Sequence, residues 1–265
     1  MPVQAILFDL DDTLIVDEAI SESAMEKTAA LAAKLHGAEV ARFLADAKNL
    51  SQSLWRDNPC LAYCDAIGIT AEECLWGNFT GESPDLAILR DWSSGFRRTL
   101  FEGILRRQGL SDDDGVLAGE FASSRRRLRR LMPDAKETLT RLKPNHKIGL
   151  LTNGAPDLQR EKLAASGLAR FFDAITVSGE HGVGKPEPGI FHILLRELGT
   201  PPEAAMMVGN SLSRDIAGAM ATGIAVTVWL KVPGSEEFAD VSPNHTINAL
   251  HELPALLFSG SCRGL

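Results

Sequence analysis

From residue 131 onward the chain alternates short apolar runs with segments of helical period, and that alternation restricts it to few folds. "MPDAKETLTRLK" reads as a helix with Pro133 near its first turn, and "HKIGLLT" as a strand. "PDLQREKLAASG" is a helix ending at Gly167, "FDAITVS" a strand, and "PGIFHILLRELG" a helix ending at Gly199. "AAMMVG", "SRDIAGAMATG" and "IAVTVWL" continue as strand, helix and strand. This pattern predicts an α/β fold: a doubly wound, Rossmann-like parallel sheet with right-handed crossovers. One strand stands apart. Val3–Phe8 is apolar except for Gln4, as in a strand covered on both faces. Residues from about 18 to 130 read as helices and loops. Examples are "AMEKTAALAAKLHG", closed by Gly37, and "PDLAILRDWSSGFRRTLFEGILRRQG", closed by Gly109. The expected organisation is therefore a discontinuous core, residues 1–15 and 131–265, with a helical insert at 16–130.

Within the insert, Ser111 followed by Asp112, Asp113 and Asp114 predicts a helix start, with acids on the positive end of the dipole. The run Arg125–Arg130, "RRRLRR", falls at the far end and reads as a solvated helix terminus. A nucleic-acid patch is the sharper reading of that run, and the formal net charge of -8 disfavours it. The same charge disfavours anionic membranes, and no apolar stretch approaches the length of a membrane span. Cys60 and Cys64 have a spacing seen at zinc sites, but no second ligand pair accompanies them. With Cys74 and Cys262 they read as reduced thiols of a cytoplasmic protein. The last residues, "SGSCRGL", read as a loose tail.

In an open α/β sheet, ligands bind outside the carboxyl ends of the strands. Asp9, Asp11 and Thr13 follow the first strand, and Thr152, Asn153 and Gly154 the second. "GEHGVGKPEP", with Lys185, follows the third, and "NSLSRD", with Asn210, Ser211 and Asp215, the fourth. Carboxylates this close repel unless a cation holds them, and oxygen donors with free water positions favour Mg²⁺. Lys185 adds a second positive charge for an anionic ligand. Thr152 and the backbone amides of Asn153 and Gly154 suit phosphate oxygens. Asp9 and Asp11, two apart in extended backbone, face one pocket, so Asp12 points elsewhere as a loop-capping residue.

These four segments, "FDLDDTL", "LLTNG", "GVGKPEPGIF" and "VGNSLSRDIAGA", resemble in order and spacing the motifs of the haloacid dehalogenase superfamily of aspartate-nucleophile hydrolases. The insert resembles the helical cap of its capped, phosphatase-like subgroup. The resemblance implies a Mg²⁺-dependent phosphatase acting on a small phosphorylated metabolite through an aspartyl-phosphate. In that scheme Asp9 is the nucleophile. Asp11 is the general acid and then the base. Lys185 clamps nucleophile and phosphate, and Thr152, with Asn153 and Gly154, binds the phosphate. Asp9, Asp11 (through its carbonyl) and Asp215 hold the metal. A sugar phosphomutase and a catalytically weak binding protein on the same core are the alternatives, and either a monomer or a homodimer is compatible.

One residue departs from the pattern. Many phosphatases of the superfamily carry an acid where this chain has Asn210, which can hold a metal-bound water but carries no charge. Dehalogenases use no metal, but they lack an acid at the position of Asp11, so the resemblance favours phosphate chemistry. Trp55, Trp76, Trp92, Phe96, Arg97 and Arg98 are candidate specificity residues of the insert, against a core role for the aromatic residues and a surface role for the arginines. His146, His181 and His192 read as structural.

Overall fold

The computed structural model describes residues 2–111, 114–233, 238 and 240–258. The chain forms two compact units. A sheet unit comprises the residues up to Val16, Arg130–Asn153 and Gln159 onward, and a helical unit comprises Asp17–Arg129 and Gly154–Leu158. The short segment 154–158, expected within the sheet core, thus packs with the helical unit, because Ala155 and Leu158 are buried in that unit's apolar cluster.

The helical unit contains α1 (Glu18–His36), α2 (Val40–Trp55), α3 (Leu61–Ile67), α4 (Ala71–Cys74), α5 (Pro84–Arg107) and α6 (Val116–Arg127). α1 stops at Gly37, whose φ of 75° is the left-handed conformation glycine adopts without steric penalty. α1 packs on α6 and α2 on α5, and Phe43, Phe79, Phe101 and Phe121 fill the core between helices. The helix start expected at Ser111 is not found. Asp112 and Asp113 lie outside the described residues, and α6 begins at Val116, after Gly115.

The arginine run is also corrected. Arg125 is 4% exposed; it pairs with Asp17, donates to the Ser21 hydroxyl at 3.0 Å and lies 4.8 Å from the Trp76 ring centroid. Arg126 donates to the Trp76 carbonyl at 2.8 Å. Part of the run therefore ties α6 to the unit's interior instead of capping it in water.

The candidate specificity residues divide. Trp55, Trp92 and Phe96 pack on one another, with centroids 5.0 to 6.1 Å apart, and Trp76 is buried. Arg97 donates to the carbonyls of Cys74 and Gly77, while Arg98 is exposed. Burial pushes the Cys64 and Cys74 thiols up to about 12, the opposite of what a thiolate metal ligand requires. The tail from Ser259, with Cys262, lies outside the described residues.

The described sheet has six parallel strands: β1 (Ala5–Phe8), β2 (Lys147–Thr152), β3 (Ala174–Val177), β4 (Ala205–Gly209), β5 (Val226–Leu230) and β6 (His245–Ile247). Their order is β3-β2-β1-β4-β5-β6, so β1 pairs with β2 on one side and β4 on the other. β6 was not legible in the sequence; only Ile247 of its three residues is buried, too little to reveal a period. Ile6 and Phe8 pack with Ile148, Leu150, Met206 and Val208 on one face. That face is covered by α7 (Ala135–Leu142), α8 (Pro156–Ser166) and α11 (Leu253–Phe258), represented by Leu139, Leu163 and Leu253. Ala5 and Leu7 face the other way, against Phe191 and Leu194 of α9 (Pro188–Glu197) and Ala219 of α10 (Ala217–Thr222). Alternation with period 2 thus supplies two apolar faces, as a sheet sandwiched between helices requires. The histidines resolve simply: His181 and His192 are exposed, and His146 lies 3.3 Å from the Leu142 carbonyl.

Phe191 is fully buried between α9 and α10, so Phe191→Ala is expected to destabilise the sheet unit by about 3–5 kcal/mol. Ile88→Ala, at a side chain 48% exposed, is expected to stay within about 0.5 kcal/mol. Urea denaturation of both variants checks the contrast.

Candidate active site

β1 lies where the strand order reverses, with its neighbours β2 and β4 continuing to opposite edges. Such a switch point opens a crevice at the carboxyl ends of the strands. Asp9 emerges there. Its N–H donates to the Val208 carbonyl of β4 at 3.0 Å, which holds the residue at the strand end, and it is 7% exposed.

Lys185, in the loop after β3, reaches the same point. Its Nζ donates to Asp9 Oδ1 at 2.6 Å, to Asp215 Oδ1 at 2.7 Å and to the Leu151 carbonyl at 2.9 Å. Three acceptors match the three donors of an ammonium. Burial opposes the lysine's charge, but Asp215 and Asp9 outweigh it and hold Lys185 above the ordinary lysine range. Burial pushes the Asp9 carboxyl up; Lys185 pulls it back only in part, and Asp215 adds to the rise.

Asp215 sits in a turn of wide, π-type winding, Leu212–Ile216, which leads into α10. Its Oδ2 accepts the Ser211 N–H at 2.9 Å. Gly209 leaves room for it, since a Cβ at that position would lie 2.2 Å from Asp215 Oδ2.

The loop bearing Lys185 is clamped by Asn153. The Asn153 side chain donates to the Lys185 carbonyl at 2.9 Å and accepts the Lys185 N–H at 2.8 Å. A side chain at Gly184 would strike that amide at 2.8 Å. The N–H of Gly154 is engaged differently from the expectation. It donates to the Ile67 carbonyl at 2.9 Å, within the helical unit, and so is not directed at a phosphate here. Asp12 has a φ of 54°, and its N–H closes the loop on the Ile15 carbonyl at 2.7 Å.

Asp11 has a separate environment. Its Oδ2 accepts from Lys162 Nζ at 3.0 Å and from Gln159 Nε2 at 3.1 Å. Gln159 Oε1 in turn accepts from the Thr152 hydroxyl at 3.3 Å. Neither α8 residue was singled out from the sequence. The available signal was two long polar side chains, three apart, interleaved with the apolar Leu158 and Leu163. Asn210 is tied to the first loop as well. Its N–H donates to the Thr13 hydroxyl at 3.1 Å, which donates back to Asn210 Oδ1 at 3.3 Å, while Trp229 Nε1 donates to the Asn210 carbonyl at 2.9 Å.

Among the described residues no three His, Cys, Asp or Glu side chains converge into a metal-holding group. Two carboxylates do meet, Asp9 and Asp215, through Lys185. A hard cation such as Mg²⁺ commonly takes one or two carboxylates and completes its shell with water and substrate oxygens. The all-oxygen donors of Asp9 and Asp215 therefore suit a hard cation such as Mg²⁺ and not a soft metal.

The family profile described as haloacid dehalogenase-like hydrolase matches residues 3–223. A phosphoserine phosphatase from Thermus thermophilus is 35% identical over 253 residues, covering 95% of this chain and 98% of its own. The human N-acylneuraminate-9-phosphatase is 31% identical, covering 98% and 96%. Among solved structures, the HAD-hydrolase YfnB from Bacillus subtilis superposes with a TM-score of 0.67 at 22% identity, covering 97% of this chain and 99% of its own, a likeness of fold. With its profile match and its extended similarity to relatives above 30% identity, the chain belongs to the haloacid dehalogenase-like hydrolase family.

Proposed function

We propose that this hydrolase is a Mg²⁺-dependent phosphatase that cleaves a small phosphomonoester through an aspartyl-phosphate on Asp9. The observation that carries the reading is the buried ammonium of Lys185 held between Asp9 and Asp215 at the strand switch point. The relatives support the substrate class. Their names specify phosphoserine, N-acylneuraminate 9-phosphate and, in a Pyrococcus furiosus protein 31% identical to this chain, glyceraldehyde 3-phosphate. These differ in the alcohol and share a phosphomonoester on a small metabolite. The helical unit is read as the cap of this enzyme.

The chemistry follows from charge. An anionic carboxylate attacking an anionic phosphate needs local positive charge. Lys185 supplies one such charge at Asp9 Oδ1. Asp9, the Asp11 carbonyl and Asp215 would hold Mg²⁺, which would supply further positive charge for the phosphoryl oxygens. Thr152 donates its hydroxyl to a phosphate oxygen, joined by the N–H of Asn153. Asp9 attacks phosphorus, and the bond to the alcohol oxygen breaks while Asp11, which has taken a proton from solvent on substrate binding, gives that proton to the oxygen. Asp11, now a carboxylate, removes a proton from water, which cleaves the Asp9–phosphorus bond and releases phosphate. The resting contacts of Asp11 with Lys162 and Gln159 must exchange for the leaving oxygen during this sequence. Asn210, held by Thr13 and Trp229, would face the metal's surroundings without adding charge.

Phosphate release from a panel of phosphorylated metabolites, with Mg²⁺ and with a chelator, tests the reading. Activity is expected to require the metal and to fall by at least about 10³-fold in Asp9→Asn. Activity persisting in Asp9→Asn would overturn the nucleophile. Gly209→Ala, whose methyl would displace Asp215, is expected to lower kcat/KM by about 10²-fold or more, with the fold retained by circular dichroism. Asn210→Asp adds a charge beside the metal position and is expected to lower the Mg²⁺ concentration for half-maximal activity several-fold. An unchanged activation constant would remove Asn210 from the metal's surroundings.

A further inference from the structure

Gln159 and Lys162 lie three residues apart on α8, which puts them on one face of the helix. Both are buried, at 1% and 6% exposure, although long polar side chains in such positions are costly unless fully partnered. Neither belongs to the four motif segments. Both donate to the same oxygen, Asp11 Oδ2, and Gln159 also accepts the Thr152 hydroxyl proton. The carboxamide is oriented by its neighbours: a carboxylate only accepts, so the NH₂ group must face Asp11 and the C=O must face Thr152.

We propose that Gln159 and Lys162 are positioning residues that fix where the Asp11 carboxyl points and couple it to Thr152. The inference rests on the reading of Asp11 as the proton donor and Thr152 as a phosphate ligand. At rest, the Thr152 hydroxyl donates a hydrogen bond to Gln159 Oε1, and Gln159 and Lys162 hold Asp11 by Oδ2. A phosphate oxygen that accepts the Thr152 hydroxyl hydrogen bond takes it away from Gln159 Oε1. The Gln159 tie on Asp11 then weakens as the phosphate arrives. The proton donor is thus freed by the group on which it acts. Lys162 stays as a point charge that keeps Asp11 beside α8, and Arg can replace that charge in kind.

Leaving groups separate positioning from packing. p-Nitrophenyl phosphate departs without a proton, whereas phenyl phosphate releases an alcohol of pKa about 10 and needs one. For both, kcat/KM covers only the steps through departure of the phenol, so hydrolysis of the aspartyl-phosphate does not enter. The variants are Gln159→Leu, Lys162→Met, Lys162→Arg and Asp11→Asn, each Mg²⁺-loaded and compared with the unaltered enzyme. Asp11→Asn, Gln159→Leu and Lys162→Met are expected to lower kcat/KM for phenyl phosphate at least about 10-fold more than for p-nitrophenyl phosphate. Lys162→Arg is expected to recover most of that difference. Equal losses on the two substrates in the α8 variants, with Asp11→Asn still selective, would reduce the pair to packing and leave the proposed function standing. Equal losses in Asp11→Asn itself would overturn the proton-donor reading and this inference with it.

Discussion

A buried ammonium between two buried carboxylates is stable only when all the partners are in place. Alone, burial would drive Lys185 toward its neutral form and raise the Asp9 carboxyl further. Joined, and completed by the Leu151 carbonyl, they satisfy one another. Removing one member of such a cluster leaves an uncompensated buried charge, at a cost of about 3–5 kcal/mol. The four groups come from the ends of β1 and β2, the loop after β3 and the turn after β4, so the cluster exists only if the strands lie in the observed order. The sheet topology and the ion pairs therefore specify each other, and the chemistry proposed at Asp9 depends on both.

The neighbouring carboxylates are treated differently. Asp9 shares its counter-charge with Asp215 in a dry setting, whereas Asp11 has its own lysine and a carboxamide from α8. Two acids two residues apart can take different tasks only if their surroundings separate them. Extended backbone brings both to one edge of the sheet, and different packed elements then hold each side chain. The supports are as specific as the acids: Asn153 clamps the Lys185 loop, and Thr13 and Trp229 hold Asn210.

The helical unit follows the same logic by other means. Its phenylalanines form an independent core, and one of its buried charges, Arg125, is met by Asp17, Ser21 and the face of Trp76. A planar guanidinium suits this role because it can bind a carboxylate in its plane and an aromatic ring on its face. The arginines nearest the interior therefore contribute to packing, and the run as a whole cannot be read from its charge alone.

Much of the fold was legible because it rests on local signals. The runs that became β1 to β5 are apolar and short, the intervening helices carry their period, and Gly37 and Gly109 mark helix ends at positions of positive φ. β6 and the start of α6 were not legible, since one has a single buried residue and the other begins after a left-handed glycine instead of at an acidic cap. The candidate residues Asp9, Lys185 and Asp215 could be listed from the sequence because loops after parallel strands share one edge. Which of them touch could not, because residues 9, 185 and 215 meet only after three crossovers have closed. The roles of Gln159, Lys162 and Arg125 were hidden for the same reason. A polar residue on a helix carries no mark of the partner that buries it, and only tertiary packing decides whether it faces water or a carboxylate.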